Sequence, residues 1–131
     1  MGATANLSNA NELYGSGMDA VVIRNFVGGI IGGRTLDVTG FTDSVIKAGH
    51  VIIRDTQTDT YKPMPVSSGA YASLPSNHEY VGVLVSSVLT SQPLAGIMYD
   101  GEVNDLASPY PVDSIKAALK TALPTLVFLH D

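Results

Sequence analysis

A chain of 131 residues with no cysteine, a formal charge of −5 and only 15% charged side chains fits one compact domain that needs no disulfide to hold it. The missing cysteines exclude a thiol nucleophile and a Cys-based zinc site. Seven basic residues without a cluster argue against direct contact with nucleic acid, and no apolar run nears the ~18 residues of a membrane span.

A mean hydropathy of +0.22 is high for a small protein that works alone. Apolar residues beyond the capacity of one core point to self-association or docking.

Residues 1–19 are rich in Asn, Ser, Gly and Ala, with isolated apolar points at Leu7, Leu13, Tyr14 and Met18. They follow neither a helical nor a strand period, so an extended N-terminal arm is expected. The segment has no basic leader and no apolar stretch, so no secretory signal is expected. Met1-Gly2 opens an acylation pattern, but Asn6 stands where Ser or Thr is needed.

From Ala20 the chain turns apolar, and a β-rich domain over residues 20–131 is expected. "AVVIRNFV" is rich in β-branched residues and predicts a strand. In "RTLDVTGF", Leu36 and Val38 alternate with polar neighbours. "SVIKAGHVIIRD" predicts a strand near residues 50–54, and "TQTDT" a turn. "YKPMPV" predicts an edge segment, because Pro63 and Pro65 cannot donate to a central ladder.

"SSGAYASLPSNHE" predicts a loop, and "YVGVLVSSV" a buried strand. "LAGIMYDGEV" predicts a returning strand, with Gly96 and Gly101 marking a bulge or a close backbone approach. "VDSIKAALKTAL" is the one good helix. Ile115, Ala118, Leu119, Ala122 and Leu123 share a face, Asp113 is placed to cap the start, and Pro124 ends it. "TLVFLHD" predicts a last strand. The sum is a mainly β, β-rich α+β fold, a small barrel or sandwich-like domain with one C-terminal helix.

"VGGIIGGRT", residues 27–35, has the outline of a phosphate-binding loop, with Gly28, Gly33 and Thr35 in place but Arg34 where Lys belongs. Such loops work by aiming backbone N–H groups and a helix N-terminus at the anion. No helical pattern follows here. The glycines are therefore expected to serve a tight reversal or close chain packing.

His50, His78 and His130 stand apart, none at ligand spacing, so each is expected at a strand edge or in a loop. "DGEVND" gathers Asp100, Glu102 and Asp105 without the alternate-position carboxylates of a calcium loop, and a solvated turn is expected. "GSG" at residues 15–17 is no nucleophile elbow. The aromatic residues are scattered and form no stacking row with basic neighbours, which disfavours a single-strand nucleic-acid platform. The expectation is a chain without catalytic residues, cofactor or metal.

Several short features in order carry a resemblance. They are Ala48-Gly49 before a strand, Val81-Gly82 opening one after a loop, Gly101-Glu102 closing the next, then a helix over Ile115–Leu123 and a last strand over Leu126–Leu129. Over roughly residues 46–130 the chain resembles the lambda-type head-decoration proteins of tailed bacteriophages, with phage head-fibre proteins also similar.

The resemblance implies a β-rich fold that binds the major capsid protein as a homotrimer on the outer surface of the virion and cements the expanded shell. It also implies an N-terminal arm that becomes ordered there. Residues 20–45 depart from the short family members. Capsid-contact candidates are then Leu7, Leu13, Tyr14, Met18, Val21, Val22 and Ile23. The rival is a carbohydrate-binding or adhesive module, which would show a cleft with aromatic rings beside Asp or Asn. A small hydrolase using Asp100 and Glu102 is a third reading.

Overall fold

A computed structural model describes residues 19–30 and 32–130. In chain order the elements are α1 (Asp19–Val22), β1 (Ile23–Gly29), β2 (Arg34–Thr35), β3 (Val45–Ile46), β4 (Val51–Asp55), β5 (Thr60–Pro63), β6 (Val66–Ser67) and β7 (Ala70–Tyr71). There follow β8 (His78–Leu84), β9 (Val88–Leu89), β10 (Leu94–Ala95), β11 (Ile97–Val103), α2 (Lys116–Ala122) and β12 (Leu126–Phe128).

The principal sheet has six strands in the order β1-β11-β8-β4-β5, with β12 added to β11. All its pairings are antiparallel except β11 with β12. Three short ladders, β2–β10, β3–β9 and β6–β7, complete the β structure. The sheet ends at β1 and β5 and does not close, so the expected mainly β fold takes the open form and not a barrel.

Both faces of this sheet are covered, which explains its sequence. Along β4, Val51 and Ile53 enter one apolar cluster while Ile52 enters the other. Val83 and Leu84 divide in the same way on β8, and Met98 and Ile97 on β11. Strands buried on both faces need apolar residues at successive positions, hence "VII" and "VL" in place of strict alternation. The larger cluster receives Leu119 from α2 with Leu126 and Phe128 from β12; the smaller is closed by Leu36, Ile46 and Ala95 around the short ladders.

Two glycines hold the strands this close. A β-bulge falls where Ile52 pairs with Gly82 and Ile53 with Tyr80, leaving Val81 as the extra residue. A Cβ on Gly82 would lie 2.2 Å from the Met98 carbonyl oxygen, and one on Gly101 would lie 2.3 Å from that of Asn25. Gly101 thus meets the expected close approach, whereas Gly96 has only ordinary contacts with Val85.

Other local expectations change. The strand expected from Ala20 begins at Ile23, because Asp19–Val22 forms a helical turn. The loop at residues 67–79 contains the β6–β7 hairpin, turned at Ser68 and Gly69 with φ of 54° and 78°. The helix starts at Lys116 with Ile115 at its N-cap, and no side chain caps it; Asp113 stays exposed in the preceding turn. Ile115 and Leu119 are buried and Leu123 packs against the core, but Ala118 and Ala122 face solvent. "DGEVND" is no simple turn, since Asp100 and Glu102 lie on β11 and Asp105 is buried.

Candidate functional site

The segment after the arm is anchored at its start. The Asp19 carboxylate accepts bonds from the backbone N–H of Ser87 at 2.8 Å and from its hydroxyl at 2.7 Å. The same hydroxyl oxygen accepts the N–H of Ala48. Val22 lies over Gly49, whose φ is +89° and where a Cβ would meet the Val22 Cγ1 at 2.3 Å.

The expected contact set therefore divides. Val22 is a core residue, 3% exposed, so its side chain is already committed to its own domain; Ile23 is half-buried and Val21 is exposed. Leu7, Leu13, Tyr14 and Met18 lie outside the described residues.

Strand β1 then behaves unlike the other long strands. Its pairing with β11 shifts register three times, between Ile23 and Asn25, Phe26 and Gly28, and Gly28 and Gly29. Each shift breaks the regular alternation of faces, so that Arg24, Asn25, Phe26 and Val27 are all exposed in succession. Phe26 is 52% and Val27 59% exposed. The opposite edge of β1 has no strand partner among the described residues. Nearby, Val127, Glu102 and Asn25 stand in one row across β12, β11 and β1.

The glycine segment inside β1 and beyond serves packing. A Cβ on Gly29 would lie 2.3 Å from the Ile97 carbonyl oxygen, and one on Gly33 2.6 Å from that of Ala95. Arg34 and Thr35 enter a strand, Arg34 donates to the Gly33 carbonyl at 2.7 Å, and its guanidinium lies 5.6 Å from the Tyr61 ring centroid. The helix N-terminus that a phosphate loop requires does not follow.

His50 and Asp105 are titratable groups buried by packing. His50, expected in a loop or at a strand edge, is 1% exposed. Its Nε2 lies 2.9 Å from the Met64 carbonyl oxygen, which places the proton on Nε2 as donor. Burial lowers its pKa to about 4.

Asp105 accepts from Lys116 Nζ at 2.6 Å and pairs with His130 Nδ1 at 2.8 Å. The Lys116 bond first, and the His130 bond after it, hold its pKa down to about 2. This trio ties α2 and the segment after β12 to the turn that follows β11. His130 is exposed, and its partner Asp105 is the buried group.

A depression with a volume of about 540 Å³ lies beside β5. Phe41 and Tyr110 form one side, and Asp37, Asp43 and Lys62 bring charge to it. The rings are set by the core. His50 makes edge contacts with Phe41, Tyr71 and Tyr110 at centroid distances of 5.5, 5.3 and 5.7 Å. The Tyr110 hydroxyl donates to Asp43 Oδ2 at 3.1 Å. Asp37 Oδ1 accepts from the Thr39 hydroxyl at 2.6 Å and the Thr39 N–H at 3.0 Å, which lowers the Asp37 pKa. His78 also lines the cleft, its Nδ1 bonded to the Ser76 carbonyl oxygen at 2.8 Å.

Neither Phe26 with Val27 nor this cleft was singled out from the sequence. For β1, the available signal was the paired glycines within an otherwise apolar run. The cleft residues come from separate loops and share no spacing.

Compared with known protein families, curated proteins and solved structures, the chain has no match.

Proposed function

We propose that this protein is a structural subunit of a tailed-phage head, which binds the major capsid protein on the outer surface of the shell as a trimer and cements it. The observation that carries the reading is β1, a sheet edge with no partner strand among the described residues, presenting Phe26 and Val27 shortly after the arm segment. Proteins that remain alone blunt such edges, because an unpaired strand recruits another chain. Exposed aromatic and aliphatic side chains beside it are the anchors a partner surface would bury. The order of sequence features shared with the lambda-type decoration proteins supports the same reading.

Cementing needs no reaction. A subunit that binds the assembled lattice and not the free capsid protein stabilises the lattice by mass action. Three-fold repetition lets modest contacts act together, since each further arm binds at a high effective concentration.

The test mixes the purified chain with expanded and unexpanded shells of its own capsid protein. Full occupancy of three-fold positions on expanded shells, with a raised shell melting temperature, is the expected result. Removing residues 1–18 while keeping the Asp19 clamp abolishes decoration, and so does the pair Phe26→Asp with Val27→Lys. The paired substitution keeps the free domain's stability to within ~0.5 kcal/mol, as surface changes do, and thermal melting checks that the shortened chain folds. Full decoration by the shortened chain would refute the arm's role. Failure of the intact chain to bind expanded shells would refute the cementing function itself.

A further inference from the structure

We infer that the cleft beside β5 is a binding site for a neutral saccharide. At about 540 Å³ it lies within the roughly 300–1,000 Å³ range of small-molecule sites. Its chemistry is mixed. Phe41 and Tyr110 offer ring surface, while carboxylates and an ammonium group face the same opening. A sugar ring needs that mixture, because one face presents C–H groups that pack on aromatic carbon while its edge presents hydroxyls that both donate and accept.

The hydrogen-bonding capacity is in place. Asp37 Oδ2, Asp43 Oδ1 and Lys62 Nζ have no hydrogen-bond partner among the described residues. Two acceptors and one multiple donor therefore converge on the cleft. Their charges also select: two carboxylates against one ammonium repel sulfated, sialylated or phosphorylated ligands. No group of three His or acidic residues able to hold a metal occurs among the described residues, so the carboxylates are not gathered for a hard cation.

The site is pre-set. Tyr110 is braced by Tyr71 and His50 and held through its hydroxyl by Asp43, and Phe41 is braced by the same His50. The rim turns at Gly40 and at Ser68-Gly69 take positive φ. Rings already braced give up little entropy on binding. The inference stands on the cleft alone, and it needs no contact with a shell.

The experiment follows backbone amide shifts of the intact chain by NMR at millimolar saccharide. The panel is lactose, N-acetyllactosamine, cellobiose, maltotriose and chitobiose, with sialyllactose as the anionic comparison, backed by an array of neutral glycans. Binding of a neutral saccharide is expected, with shifts centred on residues 37–43, Lys62 and Tyr110. Asp43→Asn weakens that binding about tenfold or more by removing a charged acceptor, and Tyr110→Ala, which removes the ring, weakens it by at least as much.

Thermal melting verifies that both variants fold. No neutral glycan bound on the array or in solution, shifts lying wholly outside the cleft, or binding of sialyllactose alone would overturn the inference. Because no capsid enters this assay, its outcome is separate from that of the decoration test.

Discussion

The two edges of the principal sheet are finished in opposite ways. At β5 the chain covers its own edge, since the N–H of Asp37 donates to the Tyr61 carbonyl at 2.8 Å and Arg34 lies over the Tyr61 ring. Pro63 ends the strand and Pro65 follows, so further pairing is blocked there by residues without an N–H. At β1 neither device occurs, and Phe26 and Val27 are exposed on an edge unpaired among the described residues. The proposed docking of another chain at β1 draws on this difference, because an edge without a partner strand among the described residues can still add one. The guarded edge borders the cleft proposed to take a saccharide, which Asp37 and Lys62 line.

Acid should separate the two edges by the largest amount. His50, beneath the cleft rings, is neutral in the fold with its pKa lowered from 6.5 to about 4. The unfolded chain therefore binds more protons between those values. Stability is full above pH 6.5 and falls as pH drops toward 4, by on the order of 3 kcal/mol. His50→Gln, which keeps a donor for Met64 but cannot titrate, should flatten the melting temperature across that interval. An unchanged slope would mean that His50 is not the group responsible.

Below pH 4 both proteins should lose stability together. The Asp105 carboxylate, held down to about 2 by Lys116 and His130, contributes stability above 3.8 that is lost as pH falls toward 2.

A methyl group at Gly29 attacks the β1 side in turn. The added Cβ would sit 2.3 Å from the Ile97 carbonyl oxygen and 3.0 Å from the Phe26 ring, so β1 must move away from β11. Gly29→Ala should cost about 1–3 kcal/mol, as overpacking does. It should speed amide exchange along β1 and weaken shell binding while leaving the cleft shifts intact. Loss of saccharide binding in this variant would show that the edges are coupled and not independent.

What could be read from the chain follows how local each cause is. Val51–Ile53 and Val83–Leu84 announce a doubly covered sheet in their own composition, and Pro63 announces an edge. The helical turn at Asp19–Val22 does not, because its anchor is Ser87, 68 positions along the chain. Asp113 satisfied a capping pattern, yet residues 113–115 form a turn and the helix begins after them. Phe26 and Val27 were legible only as strand residues, because a pattern of apolar residues cannot distinguish a centre strand from a bulged edge. Asp37, Asp43, Lys62 and Tyr110 meet only through tertiary packing, as do Asp105, Lys116 and His130. No spacing rule could have joined either set.

The smallest effect is expected midway between the edges. Arg54 on β4 bonds Asp59 at 2.7 Å and reaches Glu79 on β8 at 3.2 Å, with its side chain 25% exposed and both partners more so. Pairs this open to water gain little, because solvent screens the attraction and two long side chains lose freedom to hold it. Arg54→Ala should lower stability by less than about 1 kcal/mol, and the difference should shrink further in high salt. Shell decoration and saccharide shifts should both survive it, since neither the β1 anchors nor the cleft acceptors touch this network. A larger loss at high salt would place the cost in packing of the Arg54 stem across β4 and β8. The strands between the two edges would then be less secure than their buried apolar residues imply.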